Sequence, residues 1–346
     1  MTIYDVAVAA GVSPSTVSRT FSRPGRVSVK TADHVRSVAL DLGYRDDSPF
    51  RSLSQGIHRT IALAVTDVTN PFYFGTLRGA QNEAIKADYS ILLIDAQESA
   101  SQERTNLERL LPMVDGLIVA SSRLTDTLLR SVAKSHPIVI LNRFVGGLPS
   151  VLPDTAHGMK LAVSHLLQLG HTSVYFLPGP DSSWMSGMRW LTLRAAAIGL
   201  GMTLHRLNPV PPTIEGGATA AEAILARQAT AVICYNDLNA LGLIKALRSK
   251  GASLPRDISV IGCDNLFADD LITPALTTLA APTGLLGETA VRFVLSMIED
   301  VAVPSSSPTT VPMRLIVRES TGRAPLPARS GHANSTSQPA PCKDLS

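Results

Sequence analysis

Hydroxyl and guanidinium side chains are concentrated between residues 13 and 28, a segment that contains no acidic residue. An arginine can donate paired hydrogen bonds to a guanine edge, and serine, threonine and arginine can donate to phosphate oxygens. These preferences assign Arg19 to a guanine. The residues that suit phosphates are Ser13, Thr16, Ser22, Arg26 and Ser28. The segment therefore predicts contact with both the backbone and the bases of a nucleic acid.

A second set of polar residues lies immediately after apolar runs in the rest of the chain. Its members are Asp67, Asn70, Asp95, Asn142, Arg143, Asp181, Asn236, Asp237, Asp264 and Asn265, with the aromatic Phe72 beside them. Carboxylates, amides and an arginine near an aromatic ring suit a hydroxylated small molecule, so we expect a polar binding pocket. Any one of them could instead be an ordinary helix cap or a loop carboxylate, and such a structural role is the one expected for Asp95 and Asp237.

Metal, disulfide and catalytic chemistry find little support in the sequence. The three cysteines lie far apart, and no carboxylate cluster accompanies the three histidines between residues 157 and 171. There is no GxGxxG after a strand, no GxxxxGK[ST] and no GxSxG. We therefore expect no metal, no cofactor and no enzymatic activity.

Three short helices are predicted to position the first set of residues. Thr2 is a plausible N-cap for the first helix, and Gly11 ends it. Ser13 and Pro14 suit the start of a second helix, and a third is expected over 28–43. Two helices joined by a tight glycine-containing turn form a helix-turn-helix, whose second helix enters the major groove of DNA. A plain helical packing unit is the alternative.

The excess of basic over acidic side chains is confined to the beginning of the chain. Residues 1–60 carry eight basic and five acidic side chains, which accounts for the whole net charge of +3. Basic residues displace counterions from phosphates, so a small basic module on a neutral body suits nucleic-acid binding. Ordinary surface charge would give the same number.

From residue 60 onwards, short apolar runs alternate with helical patterns. The candidate strands are 61–66, 90–95, 116–120, 137–141, 173–177, 230–234 and 258–262, and helical patterns lie at 75–88, 101–113, 157–169 and 238–250. Continuous Val, Ile and Leu strands separated by helices predict parallel α/β layers with helices on both faces. Ligands of such sheets bind beyond the carboxyl ends of the strands, where the second polar set lies.

The segments TIYDVAVAAGVSPSTVSRTF and VSVKTADHVRSVALDLGYR resemble the DNA-binding head of the lactose/galactose repressor (LacI/GalR) family. This resemblance implies that Pro14, Ser15 and Arg19 read bases. It also implies a hinge over residues 46–59 in which Arg51 and Leu53 reach the minor groove, Leu53 as an apolar wedge that bends the duplex. The hinge departs from the family at Asp46, Asp47 and Pro49. Packing of Leu53 on the body is the alternative.

The body resembles the same family in VTDVTNPFYF, DGLIVASS, LLQLGHTSVYFLPGP, YNDLNALGLIKAL, SVIGCDN, LTTLAAP and RLIVREST. The fold implied is an all-α helix-turn-helix head followed by an α/β periplasmic-binding-protein-like body of two parallel-sheet subdomains. With the strand-end residue Asn142, the implied effector-binding residues are Phe72, Phe74, Asp154, His157, Trp184, Arg189, Asn236 and Asp264. Ala281 replaces a polar residue found in some sugar-responsive members.

We therefore expect a head at 1–45, the hinge at 46–59 and an effector-binding and dimerisation domain at 60–322. Its first subdomain is expected at about 60–168 and 282–309, and its second at about 169–281 and 310–322. Residues 323–346 hold five prolines and few large apolar residues, so disorder is expected there. Because this tail lacks leucine heptads, the expected assembly is a homodimer.

The function expected from these features is that of a transcription regulator, a repressor, that binds double-stranded operator DNA and a sugar or sugar-like metabolite. The first twenty residues lack a signal pattern, and no apolar run approaches the ~18 residues of a membrane span, so a cytoplasmic location is expected. A periplasmic solute receptor, an α/β enzyme and an architectural DNA-binding protein with a vestigial pocket are the alternatives.

Overall fold

The computed structural model describes residues 2–22, 27–42, 58–301 and 307–325. Its first part is a head of three helices, α1 (Ile3–Ala9), α2 (Pro14–Ser22) and α3 (Val29–Asp41). Thr2 and Asp5 form the capping box of α1, and Gly11 takes a left-handed conformation with φ +63° between α1 and α2. The three helices pack around Val6, Val17 and Val35, which are fully buried. The predicted helix-turn-helix is confirmed.

The first of two α/β lobes is built on a six-stranded parallel sheet. Its strands are β1 (Thr60–Val65), β2 (Ser90–Asp95), β3 (Gly116–Ala120), β4 (Ile138–Leu141), β5 (Ser150–Pro153) and β11 (Thr309–Val311), in the order β11-β5-β4-β3-β1-β2. Four helices accompany this sheet: α4 (Phe72–Lys86), α5 (Ala100–Leu110), α6 (Asp126–Val132) and α12 (Thr283–Ile298). Buried aliphatic side chains cover both faces of the sheet, as expected for parallel strands.

The second lobe repeats this design. Its strands are β6 (Ser173–Leu177), β7 (Thr203–Arg206), β8 (Ala231–Cys234), β9 (Ser259–Cys263), β10 (Thr277–Ala280) and β12 (Arg314–Ile316), in the order β12-β10-β9-β8-β6-β7. Only β12 runs antiparallel to its neighbour. The helices of this lobe are α7 (Thr155–Gln168), α8 (Trp184–Gly199), α9 (Ile214–Thr219), α10 (Ala221–Ala226) and α11 (Asp237–Ser249).

The chain crosses between the lobes three times, and two crossings differ from the expected subdomain limits. Helix α7 packs against α8 and the second sheet, with Met159 and Leu166 in the same core as Phe176. The first crossing therefore follows residue 153 rather than residue 168. The second lies between β10 and α12, and the third follows Val311 rather than residue 309.

Part of the C-terminal segment expected to be disordered is hydrogen-bonded to the second lobe. The backbone N–H of Ala324 donates to the carbonyl of Leu169 at 2.9 Å, so residues 323–325 are attached to the second lobe. Residues 326–346, the rest of the segment for which disorder is expected, lie outside the described residues. Within the described part of the chain, no helix is both long and apolar enough to cross a membrane.

The helices α4 and α12 of the first lobe approach each other closely at glycine residues. A Cβ atom on Gly79 of α4 would lie 2.0 Å from the carbonyl oxygen of Gly284 in α12. A Cβ atom on Gly287 would lie 2.1 Å from the carbonyl oxygen of Thr76. This backbone contact fixes the first turns of α4, which carry aromatic side chains into the space between the lobes.

Candidate functional site

The carboxyl ends of the two parallel sheets face each other across a cleft. Its lining comes from both lobes and consists of Asn70, Phe72, Tyr73, Ser121, Asn142, Pro153, Met185, Arg189, Tyr235, Asn236, Asp264 and Ala281. The free space between these side chains is only about 30 Å³, room for about one water molecule. The cleft is therefore closed, with little space between the side chains that line it.

Arg189 and Asp264 dominate the electrostatics of the cleft. Arg189 lies on α8 and donates to the Asp264 carboxylate at 3.2 Å and to the backbone carbonyl of Tyr235. Burial raises the pKa of Asp264 and Asp237 adds to this shift, whereas the adjacent Arg189 opposes it by stabilising the carboxylate. A buried cation beside a buried acid offers both donors and acceptors to a ligand hydroxyl group, at little net charge.

Several residues at the cleft edge hold left-handed backbone conformations that glycine would adopt more easily. They are Ser121 (φ 55°), Asn142 (φ 54°), Asp264 (φ 140°) and Asn265 (φ 61°). Such conformations cost about 1–3 kcal/mol each and are concentrated at binding sites. The Oδ1 atom of Asn142 is buried and has no hydrogen-bond partner among the described residues. Asn142 therefore presents an unused acceptor to the cleft.

Asn236 lines the cleft while also capping a helix. Its Oδ1 accepts from the backbone N–H of Asn239 at 2.9 Å, and its Nδ2 donates to the carbonyl of Pro212 at 3.1 Å. Its neighbour Asp237 is the first residue of α11 and is fully buried, accepting from Thr278 at 2.6 Å. Asp237 thus points away from the cleft, in agreement with the structural role predicted for it.

The head presents its predicted contact residues on one side of α2. Pro14, Ser15 and Arg19 are exposed, whereas Val17 is buried in the head core. Ser13 caps α2 by accepting from the backbone N–H of Thr16 at 3.1 Å. Ser28 similarly accepts from the N–H of Thr31 at 3.2 Å, next to the start of α3. The side chain of Ser22 and the residues Arg26, Arg51 and Leu53 lie outside the described part.

Two protein-family models match the chain, one in the head and one in the α/β body. Residues 2–47 match the bacterial regulatory proteins of the lacI family, and residues 163–321 match a periplasmic binding protein-like domain. The repressor CytR of Escherichia coli K12 is 30% identical over 332 residues, which cover 94% of this chain and 97% of CytR. The chain belongs to the LacI family. The regulator MalR of Streptomyces coelicolor is 31% identical over 342 residues, covering 93% of this chain and 97% of MalR.

Solved structures of LacI-family proteins are similar to this chain over more than nine-tenths of its length. The lac repressor dimer bound to operator and the anti-inducer ONPF has a TM-score of 0.72 and 26% identity, covering 93% of this chain and 99% of that one. The regulator CelR in complex with cellobiose has a TM-score of 0.68 and 25% identity, covering 92% and 99%. The predicted fold and the predicted function as a DNA-binding transcription regulator are confirmed, and this LacI-family protein is not an enzyme.

The cleft of this LacI-family regulator contains five of the nine predicted effector-binding residues: Phe72, Asn142, Arg189, Asn236 and Asp264. The other four lie outside the lining. Phe74 is 54% exposed, because it lies about 200° around α4 from Phe72. Asp154 instead caps α7, accepting from the N–H of His157, which is itself exposed. Trp184 is half-buried at the start of α8, where the next residue, Met185, faces the cleft.

The sequence analysis missed several lining residues, the most important being Tyr73 and Tyr235. Tyr73 is buried with its hydroxyl 2.8 Å from that of Thr66, and Tyr235 is 8% exposed with its hydroxyl 3.0 Å from that of Ser183. The position of Tyr235 directly before Asn236, at the end of β8, was the available signal. Among the described residues, no group of three or more His, Cys, Asp or Glu side chains could hold a metal ion.

Proposed function

We propose that this LacI-family regulator is a cytoplasmic homodimeric repressor whose affinity for operator DNA is set by a small hydroxylated metabolite bound in the cleft. The observation that carries the proposal is the buried Arg189–Asp264 pair, which lies where the carboxyl ends of both sheets meet. A buried ion pair contributes little to stability compared with apolar packing, so its retention at this place favours a binding role.

A ligand hydroxyl group would exchange with contacts that already exist in the closed cleft. Arg189 would transfer a hydrogen bond from the Tyr235 carbonyl to the ligand, and Asp264 would accept from a hydroxyl. The side-chain amide of Asn142 would accept a ligand hydrogen bond through Oδ1, which has no partner among the described residues, or donate one through Nδ2. Phe72 would pack on the apolar face of the ligand. The relatives favour a sugar, because CelR was solved with cellobiose and an Enterococcus faecium LacI-family regulator with ribose.

The DNA contacts proposed for the head divide between bases and phosphates. Pro14, Ser15 and Arg19 are assigned to bases because they share the exposed face of α2. The phosphate contacts proposed are Ser13, Thr16, Ser22, Arg26 and Ser28. In the hinge, Arg51 and Leu53 are assigned to the minor groove. The operator-bound lac repressor dimer, which covers both head and body of this chain, supports two heads on one near-palindromic site.

Control by the ligand would arise from the movement of the two lobes. The three chain crossings at 153–155, 280–283 and 311–314 leave the lobes free to rotate about short segments. Ligand bound between the lobes would favour one relative orientation, and the paired heads would then change their spacing. Such a coupling between two sites is typically worth about 1–3 kcal/mol, or a change in operator affinity of about 5-fold to 150-fold.

A selection from random double-stranded DNA tests this function, performed with and without a panel of sugars. We expect enrichment of a near-palindrome, and a change in its retention with at least one sugar. Arg19→Ala should remove the sequence preference while non-specific binding remains. Asn142→Gly should keep the preference and weaken the sugar response, since glycine accepts the φ of 54° without strain. The absence of any enriched sequence would refute the DNA-binding role, and an unchanged sugar response in Asn142→Gly would remove the cleft as the ligand site.

A further inference from the structure

The Tyr235 ring is fixed in the cleft wall by three contacts. Its hydroxyl lies 3.0 Å from the hydroxyl of Ser183, the N-cap of α8. The guanidinium of Arg189 lies over the ring, 5.0 Å from its centre. The opposite support is the backbone at Gly179, where an added Cβ atom would lie 2.5 Å from the ring carbon Cδ1. Only glycine leaves room for the ring at this position.

All three supports belong to the second lobe, because Gly179 follows β6 and Ser183 and Arg189 belong to α8. The ring is therefore held independently of the first lobe. When the lobes separate, these contacts remain and Tyr235 stays in place. Tyr235 is consequently a rigid part of the second lobe's binding face rather than a side chain that folds away to admit a ligand.

The first lobe places another aromatic residue in the same small cavity. Tyr73 is buried, and its hydroxyl is tied to Thr66 at 2.8 Å. Burial raises the pKa of Tyr73 to about 12, so this phenol stays neutral. Behind it, Arg123 donates to the carbonyl of the lining residue Ser121 at 2.8 Å and to Glu98 at 2.6 Å. The wall opposite Tyr235 is thus also braced, which limits how far it can yield to a larger ligand.

We propose that Tyr235 is a specificity-determining residue that restricts the cleft to ligands built on a single ring. The inference rests on the proposed function, since it assumes that the cleft is the ligand site. Once the lobes have moved apart, a five- or six-membered sugar ring replaces the Arg189–Tyr235 carbonyl contact and lies between Phe72 and the second lobe. A second ring, as in a disaccharide or a nucleoside, would meet the Tyr235 ring, which Gly179 and Ser183 prevent from retreating.

The experiment compares thermal shifts of the full-length protein with ribose and galactose as single-ring probes and cellobiose and cytidine as two-ring probes. Wild-type protein should respond to a single-ring probe alone. Tyr235→Ala should gain affinity for a two-ring probe of roughly 10-fold to 200-fold. Tyr235→Phe keeps the ring and should respond to the same probes as the wild-type protein. Gly179→Ala should push the ring into the cleft and weaken single-ring binding. Tyr175→Ala, on β6 and stacked on His205, is the control.

The outcomes separate this inference from the proposed function. If wild-type protein binds two-ring probes as tightly as single-ring probes, or if Tyr235→Ala keeps the wild-type range, Tyr235 does not determine specificity although the cleft still binds ligand. If neither wild-type protein nor Tyr235→Ala responds to any probe, both the ligand class and the role of the cleft are refuted. A gain in Tyr235→Ala that Tyr235→Phe lacks supports the role of the ring itself, as distinct from its hydroxyl.

Discussion

Arg189 and Asp264 form an ion pair whose side chains are only 7% and 6% exposed, with 3.2 Å between Nη2 and Oδ1. The pair also joins two elements, since Arg189 comes from α8 and Asp264 follows β9. Removing one partner from such a pair leaves a buried charge without compensation, whereas removing both leaves only a packing defect. The pair therefore links the stability of the second lobe to the chemistry of the cleft.

Arg189→Met should lower the free energy of unfolding by about 3–5 kcal/mol, because Asp264 then remains buried without its cation. The double variant Arg189→Met/Asp264→Leu should recover part of this loss, although neither variant should respond to ligand. Urea unfolding measures the stability, and thermal shift with the sugar panel measures the response. The matched control is Arg206→Met, which breaks the exposed pair of Arg206 with Asp181 and should cost less than about 1 kcal/mol. Equal losses in both single variants would contradict the argument from burial.

Phe72 and Phe74 provide a second test, because they have the same side chain and lie two residues apart on α4. Phe72 lines the cleft and is 8% exposed, while Phe74 is 54% exposed. Phe72→Leu should weaken ligand binding by about tenfold or more, since a smaller side chain covers less of the ligand's apolar face. Phe74→Leu should leave binding unchanged. A stronger effect at Phe74, measured by titration calorimetry, would show that the ligand lies on the outer face of α4.

Hydrophobic patterning predicted the alternation of strands and helices along the chain. Three strands, 90–95, 116–120 and 173–177, were predicted with the observed limits. The strands β5, β7, β10, β11 and β12 were not predicted from patterning. Each has three or four residues, of which at most two are Val, Ile or Leu, so no apolar run stands out. The lobe to which α7 belongs was also mispredicted, because an amphipathic pattern shows which face is buried and not which sheet buries it.

The candidate site shows the same division. Arg189, Asn236 and Asp264 were predicted because they occur in motifs or follow strands, where polar residues are informative. Phe72 and Phe74 were both assigned from the family resemblance, which does not show where α4 begins, and the start of the helix decides which aromatic residues face the cleft. Tyr235 was missed because the position of its ring depends on Gly179, which has no side chain to exclude the ring. Gly179 lies 56 positions away in the sequence, in a different loop.

The glycine contact between α4 and α12 gives a prediction about packing. Gly79→Ala should destabilise the protein by about 1–3 kcal/mol or more, because its Cβ would lie 2.0 Å from the Gly284 carbonyl oxygen and force the helices apart. The matched control is Gly187→Ala in α8, where no atom lies within 4 Å of the added Cβ. That substitution should stabilise the protein by about 0.5–1 kcal/mol through helix propensity. Equal effects of the two substitutions would show that the α4–α12 contact can relax at no cost.

His171 is the centre of a buried polar network at the opposite end of the second lobe from the cleft. Its Nδ1 lies 3.1 Å from the hydroxyl of Thr230, and its Nε2 lies 3.0 Å from the hydroxyl of Ser259 and 3.1 Å from the carbonyl of Gly322. Because a carbonyl can only accept, Nε2 carries the proton and Nδ1 accepts from Thr230. The network attaches the segment that contains Gly322 to the second lobe.

Burial lowers the pKa of His171 below its usual value near 6.5, against the opposing effect of the Gly322 carbonyl. Below about pH 6.5 the unfolded chain binds a proton at this residue that the folded protein resists, so stability should fall as the pH decreases. His165, whose pKa is also lowered by burial, adds to this effect in the same direction. Asp264, whose pKa is raised by burial, contributes in the opposite direction, so the histidine effect is measured as the difference in urea unfolding between the wild-type protein and a variant without His171, at pH 7.5 and at pH 5.5.

His171→Phe should separate the proton effect from the loss of hydrogen bonds. At pH 7.5 the variant should lose about 2–3 kcal/mol, because the hydroxyls of Thr230 and Ser259 lose a buried partner. Between pH 7.5 and pH 5.5, the free energy of unfolding of the wild-type protein should fall relative to that of the variant, since the variant lacks this titrating group. His157→Gln, at an exposed position, should change the free energy of unfolding by less than about 0.5 kcal/mol. An equal difference in stability between the wild-type protein and His171→Phe at both pH values would contradict the lowered pKa of His171.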